Sequence, residues 1–153
     1  VWKGAGVEGS AEEPPLGLLL FLPYRSMENR VFAALADAGY ADVTLAQARI
    51  VQRIGPDGTR LTALAEQAQV TKQTAGFLVD QLERAGYVER VPDPTDGRAR
   101  LVRLSARGQR ASAVANAVAA DVENEWSRHL GPRATAQLRR ALTRLREITD
   151  PYR

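Results

Sequence analysis

Between Leu16 and Ala38 the apolar positions recur at helical spacing, with Leu19, Leu22, Met27, Val31, Ala34, Leu35 and Ala38 near one stripe. Pro23 interrupts the stripe, so the helix either begins there or is kinked where a backbone donor is lost. Gly39 supplies the stop. Thr44 caps a second predicted helix, Leu45 to about Ile54, ended by the turn Gly55-Pro56-Asp57-Gly58. After a short extended piece at Arg60-Leu61, Thr62 is placed to cap a third helix to about Gln67, with Leu64 and Ala65 inward. A tight break at Ala68-Gln69-Val70 leads to Thr71, the expected cap of a fourth helix running to about Ala85, and Gly86 ends it in the left-handed conformation.

The period then changes from helical to alternating. Tyr87 to Val91 is short and β-branched, Pro92 to Gly97 reads as a loop, and Arg100 to Leu104 alternates again, so a hairpin is predicted. Ser105 caps a long helix to about His129, Gly131-Pro132 breaks it, and a last helix runs from about Arg133 to Ile148. Residues 1–15 are rich in Gly, Glu and Pro without periodicity and read as a mobile tail.

Two short helices joined by a tight break and followed at once by a hairpin describe a winged helix-turn-helix. The predicted fold class is therefore mostly α with a small β-hairpin wing. Residues 44–104 form a DNA-binding lobe, and residues 16–43 with 105–153 form a helical dimerisation region.

The second motif helix decides whether such a unit suits DNA. At 100° per residue, Ala75, Leu78, Leu82 and Ala85 share the inner side with Val79 beside them. Gln73, Gly76 and Phe77 share the other side near the amino end, with Lys72 and Thr74 at its edges. Gln73 has the two groups that pair with adenine, Lys72 reaches guanine acceptors or phosphate, Gly76 permits close approach, and Phe77 suits a thymine methyl. Thr62 and Thr71, at the starts of the two motif helices, complete the candidate contact set. The competing reading is an ordinary solvated polar face with Phe77 tucked under the hairpin. At the hairpin tip, Arg98 and Arg100 lie two residues apart and project from one side of an extended segment, which suits a narrow minor groove. Asp96 is out of place against phosphate and is read as an internal brace that bonds an arginine or loop amides.

Composition narrows the classes. A chain of 153 residues with 44% hydrophobic and 25% charged positions has room for one domain with a real core. With no cysteine, thiolate metal sites, thiol nucleophiles and cysteine redox sensing are excluded. The net charge of +3 permits nucleic-acid binding without demanding it. Lys3 and Lys72 are the only lysines, a bias that a GC-rich coding sequence explains as well as a selected basic surface does. The longest apolar run, Leu16 to Leu22, is far short of a membrane span and has no basic lead or cleavage site, so a cytoplasmic location is expected. One histidine, no glycine-rich phosphate loop and no G-x-S-x-G elbow leave an enzyme without its groups; neither a metal nor a cofactor is expected. Asp93 and Asp96 are close together, but an arginine-rich solvated loop is poor ground for a raised carboxylate pKa.

The stretch Leu61-Thr62-Ala63-Leu64-Ala65-Glu66, the run Val70 to Arg90, and above all Asp93-Pro94-Thr95-Asp96-Gly97-Arg98-Ala99-Arg100 followed by Leu104-Ser105-Ala106-Arg107-Gly108 resemble the multiple antibiotic resistance regulator (MarR) family of winged-helix repressors. The tip matches the pattern D-x-x-D-x-R-x-[RK], then a strand, then [ST]-x-x-G. The resemblance spans about Leu16 to the last helix and is most specific between Leu61 and Gly108. It implies a homodimer with its two recognition helices in successive major grooves of a pseudo-palindromic duplex, Arg98 entering the minor groove and Asp96 bracing it. Pro23 and the long tail depart from the family pattern.

Two further expectations concern the helices outside the lobe. Ala111, Val114, Ala115, Val118, Val122 and Trp126 form one stripe, and Leu138, Ala141, Leu142, Leu145 and Ile148 another; with the Leu-rich first helix, this apolar surface calls for a second copy. The resemblance also implies a small aromatic or anionic effector between these helices and the lobe, for which Tyr24, Arg25, Trp126 and His129 are candidates, against ordinary packing for each. The function expected is a sequence-specific, double-stranded DNA-binding repressor. The rival is a winged-helix module for protein–protein contact.

Overall fold

The computed structural model describes residues 13–150 and 152. The tail expected over residues 1–15 lies outside them as far as residue 12. In chain order the elements are α1 (Leu16–Asp37), α2 (Leu45–Val51), β1 (Thr59–Arg60), α3 (Leu61–Gln67), α4 (Lys72–Arg84), β2 (Val88–Asp93), β3 (Asp96–Leu104), α5 (Ala106–Leu130) and α6 (Pro132–Thr149).

Three of the four expected capping residues mark helix starts. Thr44 and Gln47 form a reciprocal capping box on α2, Thr71 accepts from the Thr74 N–H, and Ser105 accepts from the Gly108 N–H. Each such cap contributes about 1 kcal/mol. The exception is α3, whose cap is Arg60 with no side-chain bond. Thr62, expected to cap it, sits inside the first turn. The extended piece also lies one residue earlier than predicted. Antiparallel pairing of Thr59 with Val102 and Arg60 with Leu101 holds this backbone extended, and Leu61 enters the helix at once.

Three helices end alike. After α1, α3 and α4 the chain turns through Gly39, Gln69 and Gly86, all at positive φ. The next residue in each case, Tyr40, Val70 or Tyr87, donates its N–H back to the carbonyl of Leu35, Ala65 or Leu82. This is the Schellman closure. It turns each chain end inward and places an apolar or aromatic side chain against the helix it has just left. Gln69, at φ 56°, carries the cost of a non-glycine left-handed residue at the sharp turn between α3 and α4.

Two boundaries differ from the expectations above. Helix α2 ends at Val51 rather than near Ile54, because Arg53 and Ile54 close tighter bonds to Ile50 and Val51 and lead into the turn. The wing is longer than predicted: β2 reaches Asp93 and β3 starts at Asp96. The sheet order is β1-β3-β2, so β2 is an edge strand and accommodates Pro92 without breaking a ladder. Helix α1 begins at Leu16, not at Pro23, and continues through the proline.

The core sits inside α2, α3, α4 and the sheet, where Ile50, Leu64, Val79, Leu82 and Val102 are essentially inaccessible. Each contributes roughly 1.5–3 kcal/mol relative to exposure. Leu35 from α1 and Ala111 from α5 close the cluster. Helix α1 packs along α5, and α6 folds back beside α5.

The joint between α5 and the lobe is built from Gly86, Tyr87 and the first turn of α5. The Ser105 hydroxyl donates to the Gly86 carbonyl and Arg107 to that of Ala85. A Cβ on Gly108 would fall far inside contact distance of the Tyr87 carbonyl oxygen, so only glycine lets α5 lie this close. The Arg107 guanidinium stands 4.3 Å from the Tyr87 ring centre and 5.7 Å from that of Tyr40. Burial, reinforced by donation to the Asp42 carboxylate, pushes the Tyr87 hydroxyl up to about 12, so it remains a neutral donor at neutral pH.

Candidate nucleic-acid interface

Helix α4 carries opposite environments on its two sides. Ala75, Leu78, Val79 and Leu82 are buried, while Thr71, Lys72, Gln73, Thr74 and Phe77 are exposed. Phe77 is 58% exposed, so it is not tucked beneath the hairpin. Gly76 is half-buried, and a methyl there would meet only Leu61 Cδ2, at 3.7 Å. Packing within the chain therefore does not require glycine at this place. The Thr71 hydroxyl both accepts from the Thr74 N–H at 3.0 Å and donates to the Thr74 hydroxyl at 2.9 Å. Among the described residues, Lys72 and Gln73 engage no side-chain partner, which leaves their donors and acceptors for something outside the chain. Thr62 is exposed near the start of α3. Gln47 and Gln81, bonded at 3.2 Å, tie α2 to the carboxy-terminal part of α4.

The wing is held by a network that the sequence reading had only in part. Asp96 accepts the Arg98 N–H at 3.1 Å and lies 3.7 Å from the Arg60 guanidinium. The stronger brace is Asp93. Its carboxylate accepts from the Thr95 hydroxyl at 2.7 Å, from the Thr95 N–H at 2.8 Å, and from Arg60 Nε at 2.7 Å. These bonds, those from Thr95 first, hold the Asp93 carboxyl down at about 2, well below the usual range. Arg60 thus pins the hairpin tip to the strand that opens α3. Asp93 and Arg60 were missed as a pair. The signal available was the first aspartate of the tip motif, two residues before a threonine, an arrangement that favours a side-chain-closed turn.

The two wing arginines stand differently. Arg100 donates to the Arg90 carbonyl at 3.2 Å, folding back along the hairpin. Arg98 is exposed and takes part in no ion pair among the described residues. Arg90 reaches from β2 to Asp80, at 2.6 Å, and to Glu83, both on α4, and so joins wing and helix.

A second feature lies between α1, α2 and α5: a cavity of about 440 Å³ that reaches Leu82 and Tyr87. Of the four candidate effector residues, Tyr24 lines it, whereas Arg25, Trp126 and His129 do not. Arg25 pairs with Glu28 at 2.8 Å, Trp126 is half-buried, and His129 is exposed near the end of α5. The structure does not bring these four side chains together at the cavity.

Among the described residues no helix is long and apolar enough to cross a membrane, and no three metal-capable side chains come together.

Known proteins share this arrangement. The model of the MarR family matches residues 41–99. The HTH-type transcriptional repressor Rv2887 of Mycobacterium tuberculosis is 34% identical over 119 residues, covering 74% of this chain and 84% of that protein. Among solved structures, the reduced form of MarR from E. coli aligns with a TM-score of 0.68 at 25% identity, over 88% of this chain and 98% of that one. Transcriptional regulator Tm0710 from Thermotoga maritima aligns with a TM-score of 0.61 at 25% identity, over 88% and 93%. With a winged helix-turn-helix whose recognition helix and wing are both in place, this chain belongs to the MarR family of DNA-binding transcriptional regulators.

Proposed function

We propose that this regulator acts as a homodimeric repressor in the cytoplasm, binding a pseudo-palindromic duplex operator and performing no chemistry of its own. The carrying observation is the exposed amino-terminal face of α4. Among the described residues its Lys72 and Gln73 side chains engage no side-chain partner, on a helix whose other side is packed. In this reading Thr71, Lys72, Gln73, Thr74, Gly76 and Phe77 enter the major groove, and Thr62 contacts phosphate from α3. Arg98 enters the minor groove, with Arg100 beside it and Asp96 bracing the tip. Residues 44–104 are the DNA-binding lobe, and residues 16–43 with 105–153 pair two copies. An exposed run of Leu16, Leu19, Leu20, Phe21 and Leu22 on α1, with Leu138, Leu142 and Ile148 on α6, supports that pairing. A small apolar or aromatic effector occupies the cavity beside α5 and alters the hold on DNA.

Fluorescence anisotropy on duplexes tiled across the protein's own upstream region, against a scrambled duplex and at two salt concentrations, tests this reading. Operator-selective binding that weakens with salt is expected. Arg98→Ala lowers affinity for every duplex, whereas Gln73→Ala lowers it for the operator alone, by roughly 1–3 kcal/mol for a lost bidentate base contact. Equal loss on both duplexes would remove Gln73 from the base-reading set. The exposed Phe77 ring favours the second reading, a protein-contact module. Weak binding that is equal on all duplexes supports that module instead.

A further inference from the structure

The wall of the cavity beside α5 is mostly apolar, formed by Val31, Leu35, Val51, Ile54, Leu82 and Leu104 among others. Gln52, Ser112 and Asn116 add neutral hydrogen-bonding groups. Among the described residues its one charged lining group is the carboxylate of Glu28, 9% exposed on the inner side of α1. No lysine, arginine or histidine among the described residues lines the wall. One Glu28 oxygen accepts from Arg25 Nη1 at 2.8 Å, and the Arg25 side chain is half in solvent, at 49% exposure. The other Glu28 oxygen accepts no bond among the described residues.

We infer that this cavity takes a lipophilic cation, an apolar or aromatic frame carrying one ammonium group, with Glu28 as its counter-charge. An aromatic carboxylate entering here gives up its water and finds no cation in the wall, the nearby Arg25 guanidinium being already committed to Glu28. A cation meets the opposite situation. It replaces Arg25 on Glu28, and the guanidinium, already half exposed, returns to water at little cost, because such partly solvated ion pairs are weak. Charge in the cavity stays balanced before and after the exchange, and the apolar frame is left to contact Leu82 on α4 and Leu104 on β3. The inference rests on the effector role proposed above and adds the sign of the ligand's charge.

The test titrates the full chain, without DNA, with three probes that share one ring system: 1-naphthylmethylamine, 1-naphthoate and 1-naphthylmethanol. Calorimetry at neutral pH is expected to show the amine binding at least about tenfold tighter than the carboxylate. Glu28→Gln abolishes that ratio while leaving the alcohol's affinity within about twofold. Arg25→Ala, a change at an exposed position, frees the carboxylate and strengthens amine binding by roughly two- to fivefold. If Glu28→Gln fails to fold, judged by circular dichroism, the amine-to-carboxylate ratio in the wild type and the Arg25→Ala result decide. Carboxylate binding as tight as the amine's, a preference that survives Glu28→Gln, or no saturable amine binding each overturns the inference. A protein that holds its operator but takes no amine loses this inference alone. One that takes the amine but holds no duplex keeps the charge preference and loses the regulator reading.

Discussion

The lobe and the arms of this chain contain the same kinds of apolar side chain and treat them in opposite ways. In the lobe, Ile50, Leu64, Val79 and Leu82 are all sealed at 0% exposure by partners from the same chain. On α6 no residue is buried, and Ile148 stands 87% exposed. The first half of α1 is open too, with Leu16, Leu19, Leu20, Phe21 and Leu22 exposed. A helix-turn-helix closed by a three-stranded sheet satisfies its hydrophobic faces locally. The long arms at the chain's two ends, α1 and α6, each pack on α5, which covers a single side of each. The lobe's stability is therefore a property of one chain, while that of the arms depends on what meets them.

Four perturbations break or sharpen this contrast. The largest effect is expected in the lobe: Leu82→Ala removes a fully buried side chain and lowers unfolding stability by about 3–4 kcal/mol in urea titration, equally at all protein concentrations. Next comes the joint. Gly108→Ala forces a methyl onto the Tyr87 carbonyl and costs roughly 2 kcal/mol by the same measurement, with α5 displaced from the lobe. A smaller intrachain effect is expected on the arms. Leu142→Asp changes the unfolding of dilute, single copies by less than about 0.5 kcal/mol. The same substitution moves the sedimentation of concentrated protein from paired to single copies and removes the concentration dependence of Tm; unchanged sedimentation would place the pairing surface elsewhere. The subtlest change lies within the lobe's own wing. The Asp93 carboxyl is lowered to about 2 in the fold, so its contribution is complete above the unfolded value near 3.8 and fades as pH falls toward 2. Asp93→Asn should flatten the acid limb of stability between those pH values and leave the neutral-to-basic limb shape unchanged.

Local chemistry explains what was legible beforehand. Thr44, Thr71, Ser105 and Gly86 are short-range signals, and each helix boundary they mark lies where the residues placed it. The α4 pattern likewise separated Ala75, Leu78 and Leu82 from Gln73 and Phe77, because burial follows the helical period. Misplaced features depend on a distant partner. Thr62 is a good cap by type, but β1 pairs with β3, some forty residues away, and starts α3 early. Pro92 argues against a strand until the sheet order shows β2 to be an edge. The Arg60–Asp93 brace and the Glu28 carboxylate at the cavity wall escaped for the same reason, since neither has a partner that periodicity reveals. Of the four effector candidates, expected between arms and lobe from the resemblance, Tyr24 lines the cavity.

The close seat of α5 on Tyr87 has a mechanical consequence. A helix of 25 residues is a rod about 37 Å long. This one is clamped at its first turn by Ser105, Arg107 and Gly108, and it carries α6 at its far end. A tilt of about 5° at the clamp sweeps the tip through roughly 3 Å, a lever with its fulcrum under the recognition helix. Where two copies join by their arms, the distance between their recognition helices is set by two such levers in series. Side-chain changes in the first turn of α5 then retune the half-site spacing the pair prefers, with no alteration to any group that touches a base.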